Sequence, residues 1–283
     1  MSAPALPPAS ARVPHAYWDE LWRGDALPAP VDPRLGDIAN HANRRFDALF
    51  RRCFAGLGTA NARLLEIGCA RSAWLPYFRR EFGFDIVGLD YSSTGCAKAA
   101  EILESAGVPG RIVEADFFDP PSDMQSAFDV VVSFGVIEHF DDTASALAAC
   151  RAYLRPGGMA ITIIPNLSGL LGVFQRRIDQ KIYDLHLPLD REQLAEAHQR
   201  AGFDVESCAY FLSANWYVLR AQRFEGTFLH LPFRIVTGGL SRIIWGLERI
   251  GFRLPANSLT SPYVVCIARA PAASTAATIT ATA

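Results

Sequence analysis

Between residues 63 and 118 the chain three times runs an apolar strand into a turn marked by a glycine or a carboxylate, and this rhythm restricts the fold more than any other feature. The first pass reads Arg63-Leu64-Leu65-Glu66-Ile67, breaks at Gly68-Cys69-Ala70-Arg71-Ser72, and yields to a helix with Leu75, Phe78 and Phe82 at helical spacing. The second, from Asp85 to Leu89, ends at Asp90-Tyr91, where Ser92 or Ser93 can cap a helix running to about Ser105. The third, Arg111 to Glu114, ends at Ala115-Asp116-Phe117-Phe118. Strands alternating with helices predict a doubly wound, mostly parallel α/β sheet, whose ligands bind at the carboxyl ends of the strands. Gly68 lets the backbone turn and approach a ligand with no Cβ in the way. Asp90 can accept hydrogen bonds from both hydroxyls of a ribose. Asp116 beside Phe117 offers an acceptor for an adenine amino group next to an aromatic face. The block thus has a partner for each part of an adenosine.

The same order continues through Phe128-Asp129-Val130-Val131-Val132-Ser133-Phe134-Gly135-Val136-Ile137-Glu138-His139-Phe140, and again at Leu154-Arg155-Pro156-Gly157-Gly158-Met159. With these segments the chain resembles the class I S-adenosylmethionine-dependent methyltransferases of small-molecule type over residues 62–166. Their first motif has an acidic residue and then glycines at alternate positions; here those places hold Glu66, Gly68, Ala70 and Ser72, so only the first glycine survives. The resemblance implies a Rossmann-like seven-stranded sheet, S-adenosylmethionine as cofactor, and a cofactor site built from Glu66, Gly68, Cys69, Ala70, Asp90, Tyr91, Asp116, Phe117, Phe134 and Gly135. In it Glu66 would meet the methionine ammonium, joined by main-chain carbonyls near Phe134 and Gly135; its structural alternative is to bond turn amides. A nicotinamide dinucleotide fold is the nearest rival, because it too has an acidic residue about 20 positions after its glycine turn. It needs a G-x-G-x-x-G turn for its pyrophosphate, whereas this chain has Ala70 and Ala73 at the second and third glycine positions.

At 283 residues and 50% hydrophobic, the chain suffices for one main domain with additions. A formal net charge of −2 gives no steering toward nucleic acid. The cysteines at 53, 69, 96, 150, 208 and 266 form no C-x-x-C pair, which predicts neither a metal centre nor a disulfide framework and fits a reducing cytoplasm. Residues 1–14 and 271–283, rich in Ala with Pro or Thr, are expected to be mobile tails, and no apolar run reaches the length of a membrane span.

The additions divide the remainder. Residues 15–60 read as an N-terminal helical cap: Trp18 and Trp22 share a helix face, and Phe46, Leu49, Phe50 and Phe54 mark an amphipathic helix over residues 40–54. The resemblance implies that residues 61–270 form the methyltransferase domain, with insertions expected at about 167–187 and 209–259 after the fifth and sixth strands. By resemblance, the N-terminal helix closes over the cofactor and brings Tyr17 and Arg44 near its carboxylate, while the insertion after strand five holds the acceptor, with Phe174, Tyr183 and His186 as contacts. Asp190 and Gln193 predict a capping box for the next helix. His198 on that helix reads as solvated or capping. In the second insertion Leu240, Ile243, Ile244, Leu247 and Ile250 lie on one helix face. Such a stripe is usually core; a lid, a dimer contact or a surface helix dipping into a membrane are its alternatives. Together with Leu229, Leu231 and Phe233 it favours a small apolar or aromatic acceptor over a sugar.

A sulfonium methyl is already activated, so direct in-line displacement asks mainly for positioning, which can contribute roughly 7 to 11 kcal/mol. A base is needed only if the acceptor must lose a proton. His139, after the fourth strand, and His186 are the candidate catalytic residues, with shaping the cofactor pocket as the competing role of the Glu138-His139 pair. Two other readings keep the adenosine site: a lyase or cyclase acting on S-adenosylmethionine itself, and a silent fold serving as a partner subunit. A monomer or a homodimer is expected.

Overall fold

The computed structural model describes residues 11–23, 27–252 and 254–272. In chain order the elements are α1 (His15–Arg23), α2 (His41–Cys53), β1 (Arg63–Ile67), α3 (Leu75–Phe82), β2 (Asp85–Asp90), α4 (Ser93–Ser105), β3 (Arg111–Glu114), β4 (Phe128–Phe134), α5 (Thr143–Ala152), β5 (Leu154–Pro165), α6 (Leu170–Ile178), α7 (Gln180–Asp184), α8 (Arg191–Arg200), β6 (Asp204–Phe211), α9 (His230–Arg249) and β7 (Tyr263–Arg269).

The strands form one seven-stranded sheet in the order β3-β2-β1-β4-β5-β7-β6. The first five are parallel, and β7 runs antiparallel between β5 and β6. Because β1 is central and covered on both faces, Leu64, Leu65 and Ile67 are all buried and its sequence is an apolar run rather than an alternation. Leu65, Ile67 and Val131 face α5 and α8, meeting Leu147, Cys150 and Leu194. Leu64, Val130 and Val132 face the other way, toward Phe46 and Phe50 of α2, Phe78 of α3 and Leu103 of α4. The chain builds outward from β1 to β2 and β3, then crosses back to place β4 on the opposite side of β1. That reversal opens a crevice at the carboxyl ends of β1 and β4.

Local sequence fixes the ends of the elements. Ser92 caps α4, its Oγ accepting from Gly95 N at 3.0 Å. Asp190 and Gln193 form the expected capping box on α8. Gly83, at φ +79°, ends α3 in the left-handed conformation.

Three expectations change. Residues 11–14 are ordered: Ala11 bridges to Phe140, Arg12 N donates to His139 O at 2.9 Å, and Val13 is buried. Of the expected C-terminal tail, Pro271 and Ala272 are exposed and irregular, with Gly157 N donating to Pro271 O at 3.3 Å; the tail residues 1–10 and 273–283 lie outside the described residues. His198 is fully buried rather than solvated; its Nδ1 bonds to Leu194 O at 2.8 Å and its Nε2 lies 3.0 Å from Thr162 Oγ1. The apolar stripe of α9 faces outward, with Leu240, Ile243, Leu247 and Ile250 all exposed. The inward face is instead Thr237, Gly238, Ser241 and Trp245. Small residues win that side because the segment beneath lies close: a Cβ on Gly238 would stand 2.4 Å from Tyr217 Oη, and Trp216 N donates to Ser241 Oγ at 2.9 Å.

Candidate active site

The crevice holds a cavity of about 730 Å³ that runs from the tips of β1, β2 and β3 to the inserted segments. Gly68 shapes its floor. With φ at +75° and its N–H on Leu89 O at 2.8 Å, it occupies a conformation that side chains resist, and a Cβ there would lie 2.4 Å from Val136 Cγ2. Glycine is required at this point both for backbone freedom and for space.

Glu66, at 3% exposure, accepts from Ser72 Oγ at 2.7 Å. That hydroxyl in turn accepts from Trp74 N and Leu75 N at 3.0 and 3.2 Å, so Ser72 ties the carboxylate to the start of α3. Burial raises the Glu66 carboxyl to about 8. A buried carboxylic acid that lines a cavity is prepared to ionise against an incoming cation. Asp90 accepts from Ala70 N at 3.1 Å and Ser92 N at 2.9 Å, and burial raises its pKa although those amides oppose the shift. Tyr91 lines the cavity beside it. Asp116 stands at the third tip, its Oδ1 accepting from Phe118 N at 3.0 Å, while Phe117 is buried with its ring 4.3 Å from that of Phe118. Phe134 and Gly135 form the facing wall.

Helix α1 lies over this end. Tyr17, Trp18, Leu21 and Trp22 line the cavity, Trp18 stacks on Trp22 at 5.8 Å, and Asp19 accepts from Ser92 Oγ at 2.6 Å. Tyr17 Oη accepts from Gln222 Nε2 at 3.0 Å, which links the N-terminal helix to the second insertion. At the far end stand Gln175, Ile182, Leu185, His186, Asn215, Tyr217, Val218 and Arg220. Gln175 is held on both sides of its amide by the backbone of Arg220, at 2.8 and 2.9 Å.

Between the two ends sit Glu138, His139 and His186. Trp18 packs edge-on against the His139 ring at 5.0 Å, and the two imidazoles lie 4.5 Å apart. Burial, reinforced by His186, lowers His139 to about 3; burial likewise lowers His186 and raises Glu138 to about 8. Burial thus favours the neutral imidazole at both His139 and His186.

Four sequence candidates lie outside the cavity. Arg44 directs its guanidinium to Leu35 O and Asp37 O, at 2.6 and 2.9 Å, because the loop before α2 leaves those carbonyls in reach. Cys69 packs into the core beneath the turn, against Leu75 and the backbone of Gly88. Phe174 faces out against Trp216, and Tyr183 joins the small apolar cluster of Leu167, Leu171 and Leu219. Gln175 and Ile182, each one position away on its helix, take the places expected of those aromatics. The sequence signal for the first is weak: a single glutamine that follows the apolar run Leu170-Leu171-Gly172-Val173-Phe174 and precedes two arginines.

The sheet order, the glycine turn and the strand-tip carboxylates define a Rossmann-like methyltransferase fold. A family profile described as "Methyltransferase domain" matches residues 38–208, and the chain belongs to that family, the class I S-adenosylmethionine-dependent methyltransferases. Among curated relatives it is similar to the ubiquinone biosynthesis O-methyltransferase of Rhodopseudomonas palustris, 29% identical over 55% of this chain and 59% of the relative. The enzyme of the same name from Nitrobacter winogradskyi is 31% identical over 53% of this chain and 55% of the relative. The chain thus spans less than two thirds of these relatives. In fold it is similar to geranyl diphosphate C-methyltransferase from Streptomyces coelicolor, with a TM-score of 0.58, 15% identity and coverage of 92% and 99% of the two chains. It is also similar to the [4+2]-cyclase SpnF, with a TM-score of 0.56, 20% identity and coverage of 87% and 89%. S-adenosylmethionine is the cofactor, and the residues present fit it: the Gly68 turn leaves room that a Cβ would fill, and Glu66 presents a buried carboxyl to the cavity. Among the described residues no helix is long and apolar enough to cross a membrane.

Proposed function

We propose that the protein methylates an oxygen of a small, apolar or aromatic acceptor. The carrying observation is one continuous cavity whose first end is lined by strand-tip carboxylates and whose second is lined by Ile182, Leu185, Tyr217 and Val218 from the insertions. Glu66 would hold the methionine ammonium, Asp90 the ribose and Asp116 with Phe117 the adenine. When bound, S-adenosylmethionine supplies an electrophilic methyl, and this chain's residues orient the acceptor and exclude water. Trp18 and Trp22 roof the site, and Gln175 fixes the Arg220 segment that walls the acceptor end. The O-methyltransferase name of the curated relatives supports oxygen as the atom methylated.

The outward face of α9 supports an acceptor taken from a membrane surface. Leu231, Ile235, Val236, Leu240, Ile243, Leu247 and Ile250 are exposed together. The helix's single carboxylate, Glu248, is turned inward to His41 Nε2 at 2.9 Å, whereas Arg242 and Arg249 are exposed. An apolar face edged by arginines matches the surface of an anionic bilayer.

The test is incubation with S-adenosylmethionine and a panel of prenylated catechols, phenols and amines, followed by mass spectrometry. Adenosylhomocysteine and an O-methyl product are expected. Methylthioadenosine in place of adenosylhomocysteine would show cleavage of the cofactor itself and refute the proposal.

A further inference from the structure

Glu138 and His139 leave the end of β4, and His186 follows α7, so the pair and the third residue are far apart in sequence. Yet their ligand atoms, one from each, all lie within 4.8 Å of one another, and all three residues line the cavity. Glu138 is 1% exposed, and neither carboxylate oxygen has a hydrogen-bond partner. A buried carboxyl left bare on both oxygens is costly unless something absent from the protein itself satisfies it. The imidazoles are prepared in a matching way. His139 Nδ1–H donates to Leu185 O at 2.8 Å, and His186 Nδ1–H donates to Ile182 O at 2.7 Å. Each bond holds the ring proton on Nδ1 and leaves the Nε2 lone pair free, the arrangement that orients histidines on a metal.

The support is independent of any ligand. Leu187 N donates to Glu138 O at 2.7 Å, which fastens the His186 segment to the Glu138 turn. Arg12 Nη1 reaches the carbonyls of Asp184 and His186 at 3.5 and 3.4 Å, while its Nε pairs with Asp141 at 2.7 Å, so its charge is already engaged. Donors held about 2.1 Å from a tetrahedral ion stand about 3.4 Å apart, so modest side-chain rotation closes this set.

We propose that Glu138, His139 and His186 form a site for a divalent first-row transition metal, with an open position toward the acceptor end of the cavity. Two imidazoles and one carboxylate suit zinc, iron(II), cobalt(II) or manganese(II) better than magnesium or calcium, which favour oxygen alone. The consequence for catalysis rests on the O-methylation proposed above. An acceptor hydroxyl that takes the open position loses its proton to solvent more readily. Its oxygen then forms the bond to the methyl carbon, the carbon–sulfur bond breaks with its electron pair on sulfur, and the metal keeps its oxidation state.

The experiment titrates the EDTA-treated, dialysed full chain with cobalt(II), following visible absorption and calorimetric heat. One ion per chain with ligand-field bands is expected. His186→Ala and Glu138→Gln should each weaken cobalt binding at least about a hundredfold. His186→Ala should keep wild-type affinity for adenosylhomocysteine, which reports that its cofactor site is folded. Absence of saturable binding by wild type, or equal affinity in wild type and His186→Ala, overturns the site. Cobalt bound as expected by a protein that methylates no hydroxyl would uphold the metal site and refute the proposed acceptor chemistry alone.

Discussion

If Glu66 receives the cofactor's ammonium, replacing it with glutamine must change how binding depends on pH. Burial holds the free carboxyl at about 8 against an ordinary 4.5, a displacement worth on the order of 5 kcal/mol against the ionised form. Below pH 8 the empty site is therefore protonated, and a bound ammonium requires the proton to leave. Affinity should rise about tenfold per unit from pH 6 toward 8, because each unit makes the ionised form ten times more available. Above about pH 8 the ligand's own α-amino group deprotonates, so the curve turns down. Glu66→Gln keeps an acceptor for the Ser72 hydroxyl, 2.7 Å away, and so keeps the start of α3. It should lose the charge-assisted bond, about 1.5–3 kcal/mol or roughly tenfold to a hundredfold in affinity at the optimum, and the acid limb should flatten. Calorimetry with adenosylhomocysteine in buffers of different ionisation enthalpy counts the proton released below pH 7.5. A flat wild-type profile between pH 6 and 7.5, or the same slope in Glu66→Gln, would refute the assignment.

Three further outcomes follow from the geometry. Asp90→Ala should weaken adenosylhomocysteine binding at least tenfold, about 1.4 kcal/mol, and calorimetry on the folded variant measures it. Gly68→Ala combines a side chain at φ +75° with a Cβ 2.4 Å from Val136 Cγ2, and should cost about 2 kcal/mol, seen as a lower Tm. Adding Val136→Ala should recover part of that loss but leave the backbone term. Ile235→Glu with Ile243→Glu on the exposed face of α9 should abolish flotation with anionic vesicles while leaving adenosylhomocysteine affinity within twofold. Flotation by wild type on neutral vesicles alone, or a chain that forms dimers through this face instead, would refute the lipid reading.

The sheet was legible because parallel central strands are short apolar runs bounded by turn residues; Arg63–Ile67 and Phe128–Phe134 stand where their sequence puts them. The cavity position was legible for the same reason, since a doubly wound sheet gathers its strand ends, and with them Glu66, Asp90 and Asp116, into one crevice. The acceptor side was not. Periodicity places Leu240, Ile243 and Leu247 on one face of α9, but which face turns inward depends on what lies beneath, and the close approach of Tyr217 selects Gly238 and Ser241 instead. Residue type pointed to Phe174 and Tyr183, yet the helix phase brings Gln175 and Ile182 to the cavity. No spacing rule joins Glu138 and His139 to His186, because a separate insertion carries the third member. Arg44 illustrates a further limit: a guanidinium settles on whichever carbonyls its loop leaves open.

A crystal structure of the full chain with adenosylhomocysteine tests the central claim most directly. The ribose hydroxyls are expected on Asp90, the adenine between Asp116 and Phe117, and the amino group within hydrogen-bond distance of Glu66. A nucleoside bound elsewhere, or a crevice left empty at saturating ligand, would contradict it.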